Sequence, residues 1–353
     1  MGTFEKIVRF SKPSGVMFEH KKSFFEDNDA ALEAEKKVAE LYVQQPARES
    51  CKNCAQKLGA SAFVKLGVPY TICTRCGQVN GLHEDTTAFC QAIYTHDGGE
   101  SYGATYSADD AAAYAKRVAD IYLPKAAFVK DVLVARGHDP ATLRYADIGA
   151  GAGYFAAGLV DAELPHVTAY EVSPTLVALS QAMRPDVDMR LMGLDDVVQL
   201  AESVDADVVS LVGVLEHVQH PRDVVAALRA NPRVQYLFLL VPVFSPSVFI
   251  ELAFPHVVSR LLAVEHTHLY TESSLVYLAK EFGMRSVGEW WFGADMIDLY
   301  RSLTITIEQE PANREAGALL AQMFVPMIDG LQGVIDTNKQ CSEVHLLLEF
   351  DRT

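Results

Sequence analysis

Four of the six cysteines fall in two Cys-x-x-Cys pairs, Cys51/Cys54 and Cys73/Cys76, with 18 residues between the pairs. A Cys-x-x-Cys turn lets two sulfurs converge on one ion. Two such turns about 15–20 residues apart have the spacing of a zinc ribbon. Gly77 follows the second pair, where such a turn favours glycine. Four thiolates close a tetrahedral sphere, so a Zn2+ ion held by Cys51, Cys54, Cys73 and Cys76 is expected to be structural, with no position open to water or substrate. It would fold a segment too short to bury a core of its own. A redox dithiol would need only one pair. Cys90 and Cys341 stand alone and read as small buried apolar side chains.

A second constellation begins at "YADIGAGAGYF", Tyr145 to Phe155. Asp147 precedes Gly149, Ala150, Gly151 and Gly153 at the end of an apolar strand. Glycines there let the chain turn sharply and approach a ligand. A dinucleotide site uses G-x-G-x-x-G; here the spacing is G-x-G-x-G, and Tyr154 stands where that third glycine would be. Glu171 ends the next strand, 18 residues beyond Gly153, where a carboxylate can accept from two ribose hydroxyls. Asp195 and Asp196 follow the third strand, and each reads equally well as a helix cap. A third constellation, Glu265, His266, His268 and Tyr270, lies in "AVEHTHLYTESSL" after the fifth strand. These side chains can take up a proton. The plainer reading of the stretch is a hydrogen-bonded helix entry capped by Thr271 or Ser273.

The elements that must position these residues alternate from Leu143 onward. "LRYADIGAGAG", "VTAYEVS", "VDMRLMG", "DADVVSLVGVL", "VQYLFLLVPV", "SVGEWWF" and "EVHLLLEF" read as seven strands, the early ones separated by helical stretches. That is the βαβ pattern of a doubly wound α/β sheet. Residues 1–100 are expected to hold a helix, Asp27 to Pro46, and the ribbon. Residues 101–130 read as a linker and helical lid, interrupted near Pro124, with "SYGATYS" closing over a substrate. Residues 131–353 read as the main domain, with a helical insertion at about 294–340 expected to serve as a lid or homodimer contact.

The acidic residue, the glycine turn and the ordered strands after it resemble the class I S-adenosylmethionine-dependent methyltransferases, from about Asp131 to Thr353. The resemblance implies a Rossmann-like seven-stranded sheet whose last strand is antiparallel. It implies S-adenosylmethionine as cofactor, held by Asp147, Gly149, Ala150, Gly151 and Gly153, with Glu171 on the ribose and Asp195 or Asp196 at the adenine amino group. "GVLEHVQHPRDVVAAL" resembles the fourth-strand motif and brings Glu216 and His217 to its end. "EHTHLYTESSL…EFGM" resembles a stretch of bacterial methyltransferases acting on sugars or related small molecules. Some sugar C-methyltransferases also carry an N-terminal zinc segment and use a His or Tyr as base on a keto-sugar. The catalytic candidates are therefore His266, His268, Glu265, Tyr270 and His217.

Composition bounds the partners. Half of the 353 residues are apolar and 22% are charged, so a packed core is expected. Net charge is −16, which argues against a nucleic-acid surface. The polar opening "MGTFEKIVRFSKPSG" does not read as a signal peptide. No uninterrupted apolar run reaches 18 residues, so no membrane span is expected. A cytoplasmic enzyme is the expectation, acting on a small molecule, with a nucleotide-linked (keto-)sugar as the best single reading. A zinc-ribbon methyltransferase of protein or RNA, a non-catalytic zinc-ribbon adaptor and a dehydrogenase are the competing readings.

Overall fold

The structure, a computed structural model, describes residues 5–20, 25, 27–95 and 110–352. The "SYGATYS" stretch lies outside the described residues. The chain opens with strand β1 (Ile7–Phe10), helix α1 (Gly15–His20) and helix α2 (Asn28–Tyr42). Three short strands follow, β2 (Phe63–Lys65), β3 (Val68–Ile72) and β4 (Val79–Gly81), then α3 (Thr87–Tyr94), whose Thr86 side chain caps it by accepting from the Phe89 amide.

Helices α4 (Ala111–Arg117) and α5 (Leu123–Ala135) are joined by a π-helical turn over Val118–Tyr122. Pro124 therefore does not break the run. It sits in the first turn of α5, where a missing amide costs nothing. Phe128 and Leu133 of α5 are fully buried in the core of the large sheet.

That sheet is built from β5 (Tyr145–Ile148), β6 (Val167–Glu171), β7 (Asp188–Leu191), β8 (Val208–Val212) and β9 (Tyr236–Pro242). Interleaved are α6 (Tyr154–Asp161), α7 (Pro174–Met183), α8 (Val197–Ser203) and α9 (Pro221–Ala230). After β9 come α10 (Pro246–Ala253), the two-residue β10 (His268–Leu269), α11 (Glu272–Glu281) and β11 (Met284–Phe292). Helices α12 (Asp295–Glu308), α13 (Arg314–Phe324) and α14 (Ile328–Thr337) form the insertion before β12 (Glu343–Phe350).

The sheet order is β7-β6-β5-β8-β9-β12-β11-β1. Every pairing is parallel except those of β12, which runs antiparallel to both β9 and β11. All seven residues of β9 are buried, as a parallel strand covered on both faces requires. The seven strands expected from sequence are all present. The eighth, β1, carries no such signal: its four residues pair with β11, about 280 positions away. Chain order reverses between β5 and β8, which opens the crevice where open α/β sheets bind ligands.

A second sheet, β10-β4-β3-β2, carries the cysteine pairs. Its β10 comes from the segment after β9, so the ribbon is stitched directly to the large domain. The helical run Pro311–Thr337 is long and apolar enough to cross a membrane by length and composition. Leu319, Met323 and Val334 on it are exposed. Its other face is anchored: Ile328 is buried against Ala294 and Ile297, the Gln332 amide donates to Asp295 at 3.1 Å, and Asp329 accepts from the Ser14 amide at 2.9 Å.

Candidate functional site

The four cysteines converge. Cys51 and Cys76 sulfurs lie 3.7 Å apart and Cys54 and Cys73 sulfurs 3.4 Å apart, with all four ligand atoms within 4.8 Å of one another. A tetrahedral Zn2+ with bonds of about 2.3 Å separates its sulfurs by roughly 3.8 Å, so the residues fit the ion. Each pair forms the same turn. The amides of Ala55 and Gly77 donate to the carbonyls of Cys51 and Cys73, and the amides of Cys51 and Cys73 donate to Gln56 and Gln78. Ala55 and Gly77 both take left-handed backbone, at φ 56° and 80°. A Cβ on Gly77 would meet Ser273 Oγ at 2.3 Å, because the second turn packs on the start of α11.

A cavity of about 360 Å3 opens at the carboxyl ends of β5, β6 and β8. Its floor is the glycine turn. Gly149, Gly151 and Gly153 have φ of 74°, 57° and 75°. A Cβ on Gly153 would sit 2.2 Å from Ser180 Oγ, whereas one on Gly151 would meet nothing within 4 Å. The first closeness lets α6 pack on α7; the second leaves open space beside a ligand.

Asp147 lines the cavity, buried at the end of β5. Burial pushes its carboxyl up to about 7, against the pull of a 2.6 Å hydrogen bond from Ser210 Oγ. Its second oxygen has no hydrogen-bond partner among the described residues. Glu171 also lines the cavity, and its two oxygens accept from the amides of Gly151 (2.8 Å) and Ser173 (2.9 Å). Burial raises its pKa and those two bonds oppose the rise. Glu171 thus locks the glycine turn as well as facing the cavity. Between the two aspartates, Asp195 lines the cavity, while Asp196 accepts from the Gly193 amide at 3.0 Å and caps its own turn.

Of the five catalytic candidates, only His217 lines this cavity. Its Nδ1 lies 2.9 Å from Tyr94 Oη and 3.1 Å from the Glu265 carbonyl oxygen. Burial, then the neighbouring His266, pushes its pKa down to about 3, so the ring is neutral. The His266 ring stands 4.9 Å behind it, donating from Nδ1 to the Leu261 carbonyl at 3.0 Å. Glu265 is largely buried, which raises its pKa. Glu216, next to His217, is 2% exposed, and burial lifts its carboxyl to about 8.

His268 and Tyr270 correct the sequence reading. Both are fully buried and neither reaches the cavity. His268 pairs with Asn80 in the ribbon sheet, and burial holds its pKa well below the usual value. Tyr270 packs in the core beneath β9, and burial raises its pKa well above the usual value. They join the ribbon to the sheet.

Several cavity residues carry no signal in the sequence: Tyr94 at the end of α3, Tyr122 and Lys125 in the π-turn and α5, and Glu343 at the start of β12. Lys125 Nζ lies 4.9 Å from the centre of the Tyr122 ring. No local spacing marks these residues, because four separate elements bring them together.

The ribbon braces the His217 loop. Lys52, between two zinc-ligand candidates, donates to the Val218 carbonyl at 2.8 Å and to Asp85. Burial lowers the Lys52 pKa to about 8, with Asp85 opposing. Gln219 donates to the Asp85 carbonyl (2.6 Å), and Arg222 to the Asn53 carbonyl (2.6 Å).

Residues 116–287 match the family described as a methyltransferase domain. No curated protein sequence matches the chain. Similar solved structures include a magnesium protoporphyrin IX methyltransferase from Synechocystis PCC 6803 with bound SAH, at 14% identity, 75% of this chain, 100% of that chain and TM-score 0.46. Another is an S-adenosylmethionine-dependent methyltransferase from Geobacter sulfurreducens, at 14% identity, 65% and 91% coverage and TM-score 0.39. A third is an amino pentose methyltransferase from Micromonospora echinaspora, at 24% identity, 38% and 56% coverage and TM-score 0.29. Residues 116–287 thus carry the match to the methyltransferase-domain family, on a doubly wound sheet in which only β12 runs antiparallel.

Proposed function

We propose that the chain transfers the methyl group of S-adenosylmethionine to an oxygen or carbon of a small molecule, with a nucleotide-linked keto-sugar as the acceptor that best fits the sequence pattern. The observation that carries this reading is one cavity lined by two chemically different sets of side chains. The glycine turn, Asp147, Glu171 and Asp195 are suited to a nucleoside and an amino-acid group. The Tyr94–His217 pair, backed by His266 and Glu265, is suited to handling a proton.

The donor arrives activated as a sulfonium, so the protein's task is to align the acceptor and take up its proton as the new bond forms. Glu171 accepts ribose hydroxyls with the lone pairs left over from its two amide bonds. Asp147 meets the cationic amino group of the cofactor. Zn2+, when held by Cys51, Cys54, Cys73 and Cys76, supplies rigidity to the ribbon and so to the loop carrying His217. It has no place in the chemistry, because four thiolates leave no open position.

Calorimetric titration with S-adenosylhomocysteine, with NADH as control, tests the reading. Micromolar binding of the first alone is expected. Absence of binding by a zinc-loaded, folded chain overturns it.

A further inference from the structure

We propose that the helical run Pro311–Thr337 is a dimerisation surface whose partner is the same run of a second copy of this chain. The run is set apart by what it leaves uncovered. Only 11% of its most apolar stretch is buried. Leu319, Met323, Val325, Met327, Leu331 and Val334 on it are all exposed. All of these but Val325 recur every three or four residues, the spacing that sets side chains in one ridge along a helix. No charged residue interrupts the sequence from Ala316 to Ile328. Exposed apolar surface of this continuity marks an interaction site.

Three observations point to a second copy as the partner. The first is charge. The chain carries −16, so two copies repel wherever their acidic surfaces meet. The ridge is uncharged, and two identical uncharged ridges meet without setting like charges together. A basic partner would be drawn to the acidic surface instead. The second is symmetry. Met327 stands near the middle of the ridge, which runs from Leu319 to Val334. A two-fold axis at Met327 sets Met323 opposite Leu331 and Leu319 near Val334, apolar against apolar at each step. The third is size. A standard interface takes about 20–30 residues from each partner. The run has 27, most of them exposed.

A lipid surface fits the ridge less well. A helix that lies on a membrane carries a polar face rich in lysine and arginine. The polar face here is acidic and bonded to its own domain. Asp329 accepts from the Ser14 amide at 2.9 Å, and the Gln332 amide donates to Asp295 at 3.1 Å and to Asp336 at 2.8 Å. These ties hold the ridge outward, already shaped for a partner.

The test is sedimentation equilibrium of the zinc-loaded full chain and of two variants at the centre of the ridge. At about 10 μM chain the wild type is expected to be a dimer. Met327→Glu and Met327→Lys should each weaken association at least tenfold, because the two-fold sets the same charge against itself. Helix content by circular dichroism should stay at the wild-type value in both. Mixing the two variants should restore the dimer, since opposite charges then face each other across the axis. A wild type that stays monomeric overturns the proposal, and its capture by phosphatidylcholine vesicles would assign the ridge to lipid. A dimer that both variants leave undiminished also overturns it, by placing the interface elsewhere. A mixture that associates no better than either variant alone removes the two-fold pairing. None of these readouts depends on the methyl-transfer reading.

Discussion

Asp147 shows how one buried carboxyl can report on ligand and fold together. Its pKa is pushed up to about 7 by burial, above the usual aspartate value. Between pH 4 and 7 the folded chain therefore holds a proton that the unfolded chain has lost. The contribution is full below the unfolded pKa and is lost as pH rises through the folded one, at roughly 1.4 kcal/mol for each pH unit that separates the two. Asp147→Asn keeps an acceptor for Ser210 and removes the titration. Its stability relative to wild type should rise from pH 5 to pH 8, as read by urea unfolding at both values. An equal difference at both would mean that Asp147 is already ionised at pH 5. Glu171 calls for a substitution that keeps a partner for the amides it binds. Alanine would strand the Gly151 and Ser173 amides, at about 1–3 kcal/mol for each donor left buried. Glu171→Gln keeps one acceptor and should weaken S-adenosylhomocysteine at least tenfold while the chain stays folded. Wild-type affinity would remove Glu171 from the ribose. The glycine turn and Glu171 were legible because their chemistry is local and ordered along the chain. Choosing Asp195 over Asp196 was not, since both flank one turn and only the direction of the side chain separates them.

At the scale of elements, the strands were legible wherever burial on both faces wrote a continuous apolar run, as in β8 and β9. They were not legible where the partner supplies the stability. Strand β1 has half-exposed residues and an unremarkable "IVRF", and its place at the sheet edge depends on β11. It is held by Lys6 to Glu289 (2.7 Å) and by the Trp290 indole donating to the Ser11 carbonyl (3.0 Å). Deleting residues 1–11 should lower the melting temperature by a few degrees and leave the cofactor turn, far across the sheet, with its affinity. An unchanged melting temperature would mean that β1 contributes nothing to the sheet. Strand β10 misleads for the same reason. "HTHLY" reads as a row of proton acceptors, yet pairing with β4 turns His268 inward. Cys73→Ser should release the zinc and raise amide exchange across Leu269 to Ser274, since the second cysteine turn rests on Thr271 and Ser273. Stoichiometric zinc in that variant would remove the four-thiolate site.

Across the whole molecule, the ribbon half and the segment after β9 share one core rather than meeting at a flat seam. Tyr42, Val68, Tyr70, Val79 and Phe89 from the ribbon half pack with Val248, Leu261, Leu262, Val264 and Leu269 from the segment after β9. Buried polar ties cross the same boundary: Lys52 to Val218, Asn53 to Ser274 at 2.9 Å, and Lys65 to the Glu251 carbonyl at 2.8 Å. Each half supplies the apolar cover and the hydrogen-bond partners of the other. Separate unfolding would expose that core and strand those donors, which costs more than the chain entropy that partial opening recovers. The zinc-loaded protein should therefore melt in a single calorimetric transition, with calorimetric and van't Hoff enthalpies equal. Removal of the zinc by a strong chelator should shift that transition down as a unit, because ion binding to the folded ribbon is folding free energy for everything packed on it. Two resolved transitions in the zinc-loaded chain, the lower one sensitive to chelator and the upper one to S-adenosylhomocysteine, would instead make the ribbon an independent module whose hold on the His217 loop is only local.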